Sequence, residues 1–294
     1  PHFIDISDPT NPTPAGGYGD DSYSHDAQVV TYSGPDTEHL GKEILIGSNA
    51  NEIVIVDITN KNNPIGLSTI SYSNVAYTHQ GWFTEDQRYF IVGDEVDELN
   101  IGFNTRTIIL DFEDLDNPQF HFEYEGPTQA IDHNGYVKGD KYYLSSYRAG
   151  MRVLDISDIE NGTMTELGFF DTYPESNAAN FNGVWNVYPF FASNNIVISD
   201  IERGFFLVRD PSLAQEETTF NDFEIAPNPA KKNITITATG EPIEIIEIFN
   251  ILGQRVLNLT FDATSSKNIT ITSLKSGMYL VRINSQTTKR LIVK

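Results

Sequence analysis

The sequence predicts an all-β protein: a β-propeller over residues 1–210, a linker over 211–222 and a small immunoglobulin-like β-sandwich over 223–294. Three observations predict it. An internal repeat recurs about every 50 residues, short apolar runs are punctuated by Gly, Asn, Asp and Pro, and helical periodicity is nearly absent. At 294 residues, 39% of them hydrophobic and 12% aromatic, the chain is large enough to bury two cores.

Two interleaved phrases make up the repeat. An apolar run ending in Asp and followed by polar residues occurs at Asp5, Asp57, Asp111 and Asp155, with Arg209 in the Asp slot of a degenerate copy. The second phrase begins at His25, His79 and His133, with Asn182 in the fourth slot; the first two steps are equal and the third is slightly shorter. Between them lie "ILIGSN", "FIVGDE", "YLSSYR" and "IVISDI", and the insertion "DEVDELNIGFN" lengthens the second copy. Each unit thus holds three or four short strands, the content of a propeller blade. Four blades and part of a preceding one are visible. The chain opens on Pro1-His2-Phe3-Ile4-Asp5, mid-repeat and without Met, so the N-terminus reads as truncated or processed.

Local chemistry assigns most of these residues to structure. An Asp at a strand end followed by Ser, Thr or another polar residue caps its own turn through its side chain. The aromatic runs, including Trp82, Tyr142-Tyr143, Phe169-Phe170, Trp185 and Phe190-Phe191, are expected between blades. His2, His39 and His121 lie outside the repeat phrase and read as exposed or singly packed. Arg148, Arg152 and Arg203 occupy equivalent loop-to-strand segments; they suit ion pairs, and Arg148 and Arg203 an anion at the channel mouth. Four Asn-x-Thr triplets, at Asn161, Asn233, Asn258 and Asn268, read as strand and turn composition.

Charge is unevenly placed. Of 19 Lys/Arg and 41 Asp/Glu, the segment 221–294 holds nine and six, which leaves the segment 1–220 with ten and thirty-five. An acidic body of this kind repels nucleic acid and anionic membrane surfaces and suits divalent cations or solubility. No apolar run is long enough for a transmembrane helix. The absence of cysteine excludes disulfides and thiolate metal sites.

The innermost strand of a propeller blade lines the central channel. If His25, His79 and His133 begin those strands, they converge from successive blades and can bind Zn²⁺, Fe²⁺, Cu²⁺ or Ni²⁺. Asp94 and Glu95, which follow the second strand of the His79 blade, are the candidate carboxylate ligands, with Asp26 and Asp132 placed to orient the rings. Asp97 and Glu98 on the insertion form an oxygen-only set that suits Ca²⁺. Asn182 in the fourth slot is a poor metal ligand and favours a packing role for the slot. The sequence has no Gly-x-Ser-x-Gly, Walker loop, His-Glu-x-x-His or dinucleotide fingerprint.

The run Ile53-Val54-Ile55-Val56-Asp57 resembles an LVIVD repeat, and residues 20–209 resemble the choice-of-anchor B propeller family of bacterial surface proteins. No reaction is implied by that resemblance. After the polar stretch 211–222, "IAPNPA" (225–230), "IEIFNILGQRV" (246–256), "LKSGMYLVRI" (274–283) and the basic "TTKRLIVK" resemble the type A sorting domain of the Bacteroidetes type IX secretion system. The motif positions are Pro227, Asn228, Pro229, Gly253, Gly277, Lys289, Arg290 and Lys294. Both prolines lock an extended entry, and Gly253 and the Ser276-Gly277 pair supply turns. The resemblance implies periplasmic transit in a Gram-negative cell, recognition by the type IX machinery, and delivery outside the cell or to the outer-membrane surface. The reading that results is a secreted or surface propeller that binds a protein, glycan or small ligand. The alternative is a metal-dependent propeller hydrolase or oxidase built on the histidine cluster.

Overall fold

Each repeat folds as one antiparallel sheet. Blade 1 is β3 (Asp26–Thr31), β4 (Glu43–Ser48), β5 (Ile53–Asp57) and β6 (Ile65–Ile70), preceded by a two-stranded sheet of β1 (His2–Asp5) and β2 (Thr13–Gly17). Blade 2 is β7 (Thr78–Phe83), β8 (Tyr89–Asp94), β9 (Arg106–Asp111) and β10 (Gln119–Glu125), with the one-turn helix α1 (Asp97–Asn100) in its insertion. Blade 3 is β11 (Gly135–Lys138), β12 (Lys141–Ser146), β13 (Gly150–Asp155) and β14 (Thr165–Phe170). Among the described residues, blade 4 is β15 (Val184–Tyr188), β16 (Asn195–Asp200) and β17 (Gly204–Arg209). This computed structural model describes residues 1–21, 23–209, 223–239, 242–250, 254–284 and 287–294; the expected linker at 211–222 and Gly253 lie outside them. The chain divides into two units, Pro1–Pro211 and Ser212–Lys294.

First strands neighbour first strands: β3 lies beside β7, β7 beside β11 and β11 beside β15. The apolar runs of the middle strands follow from burial on both faces. In β8, Phe90 and Val92 face the blade 1 residues Ile44, Ile46, Ile53 and Ile55, whereas Tyr89 and Ile91 face Val137, Tyr142 and Leu144 of blade 3. Ile108 and Ile109 of β9 divide in the same way. Period-two alternation therefore serves two interfaces, and each such side chain contributes about 1.5–3 kcal/mol through burial.

Polar devices recur with the repeat. The four phrase-ending aspartates each accept a backbone N–H two residues on: Asp5 from Ser7 at 2.8 Å, and Asp57 from Thr59, Asp111 from Glu113 and Asp155 from Ser157 at 2.9 Å. These are the expected caps, and they turn the chain from the third strand into the fourth. Blades are joined by glutamines: Gln28 accepts from the Phe83 N–H at 2.9 Å and Gln80 from Gly135 at 3.0 Å. Tyr147 bridges Val184 of the next blade, and a Cβ at Gly183 would stand 2.4 Å from the Tyr147 carbonyl oxygen, so only glycine permits that approach.

The aromatic runs do not all lie between blades. Tyr142 and Tyr143 are fully buried, and Trp82 packs edge-on against Tyr136 of blade 3 at 4.9 Å. Phe169, Phe170, Trp185, Phe190 and Phe191 are 36–60% exposed, although Phe170, Trp185 and Phe190 still meet rings of neighbouring blades, namely Phe206, His133 and Tyr136. Alternation shows in blade 4: Phe206 of β17 meets Phe170 of blade 3, whereas Phe205 and Leu207, on the other side of the strand, are exposed.

Among the described residues, the second unit is a sandwich of seven strands. β18 (Phe223–Ala226), β19 (Asn233–Ala238) and β22 (Ser266–Thr270) form one sheet; β21 (Arg255–Thr264), β20 (Ile243–Asn250), β23 (Gly277–Ile283) and β24 (Thr287–Val293) form the other. Ile234, Ile236, Ile246, Ile248, Ile269, Val281 and Leu291 fill the space between them. Asn228, between the two motif prolines, acts as a piece of strand: its side chain donates to the Arg290 carbonyl at 2.7 Å and accepts from the Ile292 N–H at 2.9 Å. The backbone then takes over, with Ala230 bonded to Ile292 and the Lys294 N–H to Ala230. Lys289 donates to the Phe223 carbonyl and lies over the Phe223 ring. Gly277 opens β23, paired with Val293, instead of forming the expected turn.

Candidate metal centre

His79 and His133 sit at the inner ends of blades 2 and 3, at the start of the strands that line the channel. In blade 2 the register shifts between Thr78 and Gln80, which bulges His79 out of the ladder. His79 and His133 are 4% and 3% exposed, and their ring centroids are 4.4 Å apart. Glu95 reaches both: Oε2 lies 3.6 Å from His79 Nε2 and Oε1 lies 3.7 Å from His133 Nε2. One ligand atom from each residue falls within 4.8 Å of the others. A single ion with ligand bonds of about 2 Å can span such a separation.

The tautomers fit a ligand role. His133 Nδ1 faces the Trp185 carbonyl, which can only accept, so Nδ1 carries the proton and Nε2 offers its lone pair towards Glu95 and His79. Burial holds His79 down at about 3, with the neighbouring His133 and His25 adding to the effect; burial also lowers His133 to about 4. Both rings are therefore neutral at physiological pH, the form that binds metal. Burial raises the Glu95 carboxyl, and a hydrogen bond from the Tyr147 hydroxyl at 2.8 Å works against that rise. Separations of 3.6 and 3.7 Å are too long for hydrogen bonds between the rings and Glu95. The three groups are thus close without being satisfied by one another, and His79 Nδ1 is buried without a partner.

The remaining sequence candidates take other places. His25 lies against His79, the rings tilted by 45° with centroids 4.4 Å apart, but outside the three-residue set; it is exposed, and its Nδ1 meets the hydroxyls of Tyr23 and Tyr77 at 3.1 and 3.0 Å. Asp94 lies outside the three-residue set: its carboxylate accepts from the N–H groups of Ala76 and Tyr77, at 2.8 and 2.7 Å, and from the Tyr72 hydroxyl. Asp132 does not orient His133, because the Trp185 carbonyl does, and Asp26 accepts from the Ala27 N–H. The fourth slot belongs to Trp185, not Asn182: Trp185 occupies the register shift of blade 4, and its ring lies 4.5 Å from His133. Asn182 instead accepts from Arg148, and Arg203 pairs with Glu175, so neither guanidinium is set aside for an anion. The row of rings therefore runs His25, His79, His133, Trp185. Tyr147, Tyr77 and Tyr23 are the contributors that repeat spacing alone does not single out.

Asp97, Glu98 and Asp132 are buried at 0%, 4% and 0% exposure. Burial pushes all three carboxyls up, with neighbouring carboxylate charges adding to the rise for Glu98 and Asp132. His39, expected to be exposed or singly packed, is buried within a second cluster with Asp36 and Asp116.

Residues 224–294 match the family described as the secretion system C-terminal sorting domain, and residues 3–20 and 42–70 match the LVIVD repeat. No curated protein sequence matches the chain as a relative. Among solved structures, the chain is similar to PorZ, a bacterial surface component of the type-IX secretion system of Porphyromonas gingivalis, at 10% identity and a TM-score of 0.47. That alignment covers 98% of this chain and 41% of PorZ. It is also similar to the Cps50 (Swd1) β-propeller domain of Myceliophteria thermophila, at 11% identity and a TM-score of 0.42, over 100% of this chain and 68% of that one. A third similarity, to the dihydro-heme d1 dehydrogenase NirN, has 10% identity and a TM-score of 0.44, over 94% of this chain and 58% of NirN. The chain thus spans less than two thirds of PorZ and of NirN. No helix among the described residues is long and apolar enough to cross a membrane. Propeller repeats of the LVIVD type, followed by a type IX secretion sorting domain, make this a protein exported to the cell surface or the extracellular space.

Proposed function

We propose that this protein is a binding propeller of the cell exterior whose channel mouth holds a divalent transition metal on His79, His133 and Glu95. The type IX machinery recognises the C-terminal module, and the propeller meets an extracellular protein, glycan or small ligand. The observation that carries the reading is the convergence of two neutral imidazoles and one carboxylate, from two blades, within 4.8 Å. Two nitrogens and a carboxylate suit Zn²⁺ or Fe²⁺ and leave coordination positions for an incoming donor atom. The exposed rings of His25 and Trp185 flank those positions. Elemental analysis after dialysis against Zn²⁺, together with the Co²⁺ absorption spectrum, is the test. One equivalent per chain and a four- or five-coordinate spectrum are expected; a chain that takes up neither ion sinks the reading.

Open positions also favour a second reading, a metal-dependent hydrolase or oxidase, because catalytic sites characteristically hold three protein ligands and keep one position free. Turnover of a lactone, phosphoester or thiol by the metal-loaded chain, abolished by His79→Ala, would select it over simple binding.

A further inference from the structure

Alternation along the strands of the second unit decides which side chains its core takes. Inward residues fill the space between the two sheets, and their neighbours along the strand face outward. Cross-strand partners share a face, so the registers define the two outward surfaces. On the three-stranded sheet, Glu224 pairs with Thr237, Ala226 with Thr235, and Thr235 with Asn268. That surface is small and polar, as a sheet face turned to water should be. On the four-stranded sheet, Phe249 pairs with Leu280 and Met278 with Ile292. Met278 and Leu280 are 45% and 43% exposed, and Phe249 and Ile292 are half-buried. One face of the module is finished for solvent and the other is not.

Three guanidiniums border the apolar row. Arg255 lies opposite Phe249, Arg290 lies opposite Leu280, and Arg282 stands over the Phe249 ring at 4.8 Å. Glu247, which pairs with Arg282 in the same ladder, holds two of them in place: Oε1 accepts from Arg255 and Oε2 from Arg282, both at 2.8 Å. One carboxylate, only 4% exposed, stands against three cations, so the border of the row is positive. Aromatic residues, Met and Arg are enriched at protein–protein interfaces, and Lys, Glu, Asp, Ser and Ala are depleted. The row and its border have the first composition, and the outward face of the other sheet lacks it. Guanidiniums already fixed by Glu247 also lose little further freedom on docking. These positions fall in the stretches "IEIFNILGQRV", "LKSGMYLVRI" and "TTKRLIVK". Burial explains the inward residues there, such as Ile248, Val281 and Leu291, but not Met278 and Leu280. We propose that this outward face docks a protein surface of the export apparatus that presents an apolar ridge bordered by Asp or Glu, which rests on reading the module as the type IX address. A second copy of the same face is disfavoured as occupant, because two positive borders would meet.

The test expresses the full chain, fitted with a periplasmic signal sequence, in a type IX-secreting bacterium and compares the amounts outside the cell and in the periplasm by immunoblot. Leu280→Glu and Arg290→Glu are each expected to lower export by about tenfold or more, with the chain held in the periplasm. Thr237→Glu, on the polar face, is expected to export like the wild type. Thermal unfolding of each purified variant identifies a folding defect, and Arg290→Glu, at an exposed side chain, carries the test should Leu280→Glu unfold. Wild-type export of the folded Leu280→Glu and Arg290→Glu chains overturns the proposal, and so does an equal loss in Thr237→Glu. Binding of the purified chain to phosphatidylglycerol vesicles, abolished by Leu280→Glu, would give the face to lipid and overturn it as well. Deletion of residues 223–294 separates the two levels. Export without the module breaks the address reading itself, whereas retention of the deleted chain alongside normal export of the face variants breaks only the docking face.

Discussion

Two places among the described residues bring histidine and carboxylates within 4.8 Å, His79/Glu95/His133 at the channel and Asp36/His39/Asp116 at the rim of blades 1 and 2, and the protein treats them differently. At the rim both ring nitrogens and the Asp36 carboxylate are engaged. The Lys42 ammonium donates to His39 Nδ1 at 3.1 Å, so the ring proton sits on Nε2, which donates to Asp116 Oδ2 at 2.9 Å. Asp36 meanwhile accepts from the N–H groups of Glu38 and Leu115 at 3.1 and 3.0 Å and so ties the blade 1 loop to blade 2. A metal there would have to displace a proton that a neighbouring ammonium holds in place. At the channel the Nε2 atoms of both rings face a carboxylate at distances too long to bond. Composition of a cluster is thus a poor guide to its use; the occupancy of its hydrogen bonds is a better one.

The sharpest way to break this contrast is to remove one histidine from each cluster. His79→Ala is expected to lower Zn²⁺ or Co²⁺ affinity by more than about a hundredfold, since two ligands hold an ion far less well than three. His39→Ala is expected to leave metal stoichiometry untouched. Equal loss of bound metal in the two variants, by elemental analysis, would erase the distinction. Glu95→Gln keeps the bond from Tyr147 and removes the charge; a drop of about 10- to 100-fold in metal affinity is expected in a calorimetric titration. His39→Ala should act on stability instead, costing about 1–3 kcal/mol in denaturant unfolding, because Asp116 and Lys42 lose their shared partner and a buried ring leaves a gap. Asp116→Asn, at a half-exposed side chain, is expected to cost no more than about 1 kcal/mol in the same measurement. An Asp116→Asn loss larger than that of His39→Ala would reverse the assigned roles.

Repetition is what makes the fold readable. Four aspartates in register announce four turns, and the even interval from His25 to His79 to His133 puts three rings on one axis from the sequence alone. The strand runs are equally plain, because blades covered on both faces leave no polar alternation to confuse. What repetition cannot carry is the asymmetry of the site. Matching "FNGVWN" to the earlier copies by its first polar residue selects Asn182; the register shift that places Trp185 is a backbone event with no residue type of its own. Asp94 and Glu95 are adjacent in the chain and alike in chemistry. Only the fold decides that the first is consumed by two backbone N–H groups while the second turns to the histidines. His39 gives no signal for a similar reason, since its partner Asp116 lies far along the chain, on another blade.

The side chain of Asn228 has a consequence for the whole module. It holds the Arg290 carbonyl and the Ile292 N–H, and the backbone of Ala230 is stitched to Ile292 and Lys294. The opening motif of the sorting domain is therefore completed by β24. A variant truncated before β24 would keep the proline-asparagine motif and lose every partner that holds it, so the two ends of the module stand or fall as one piece.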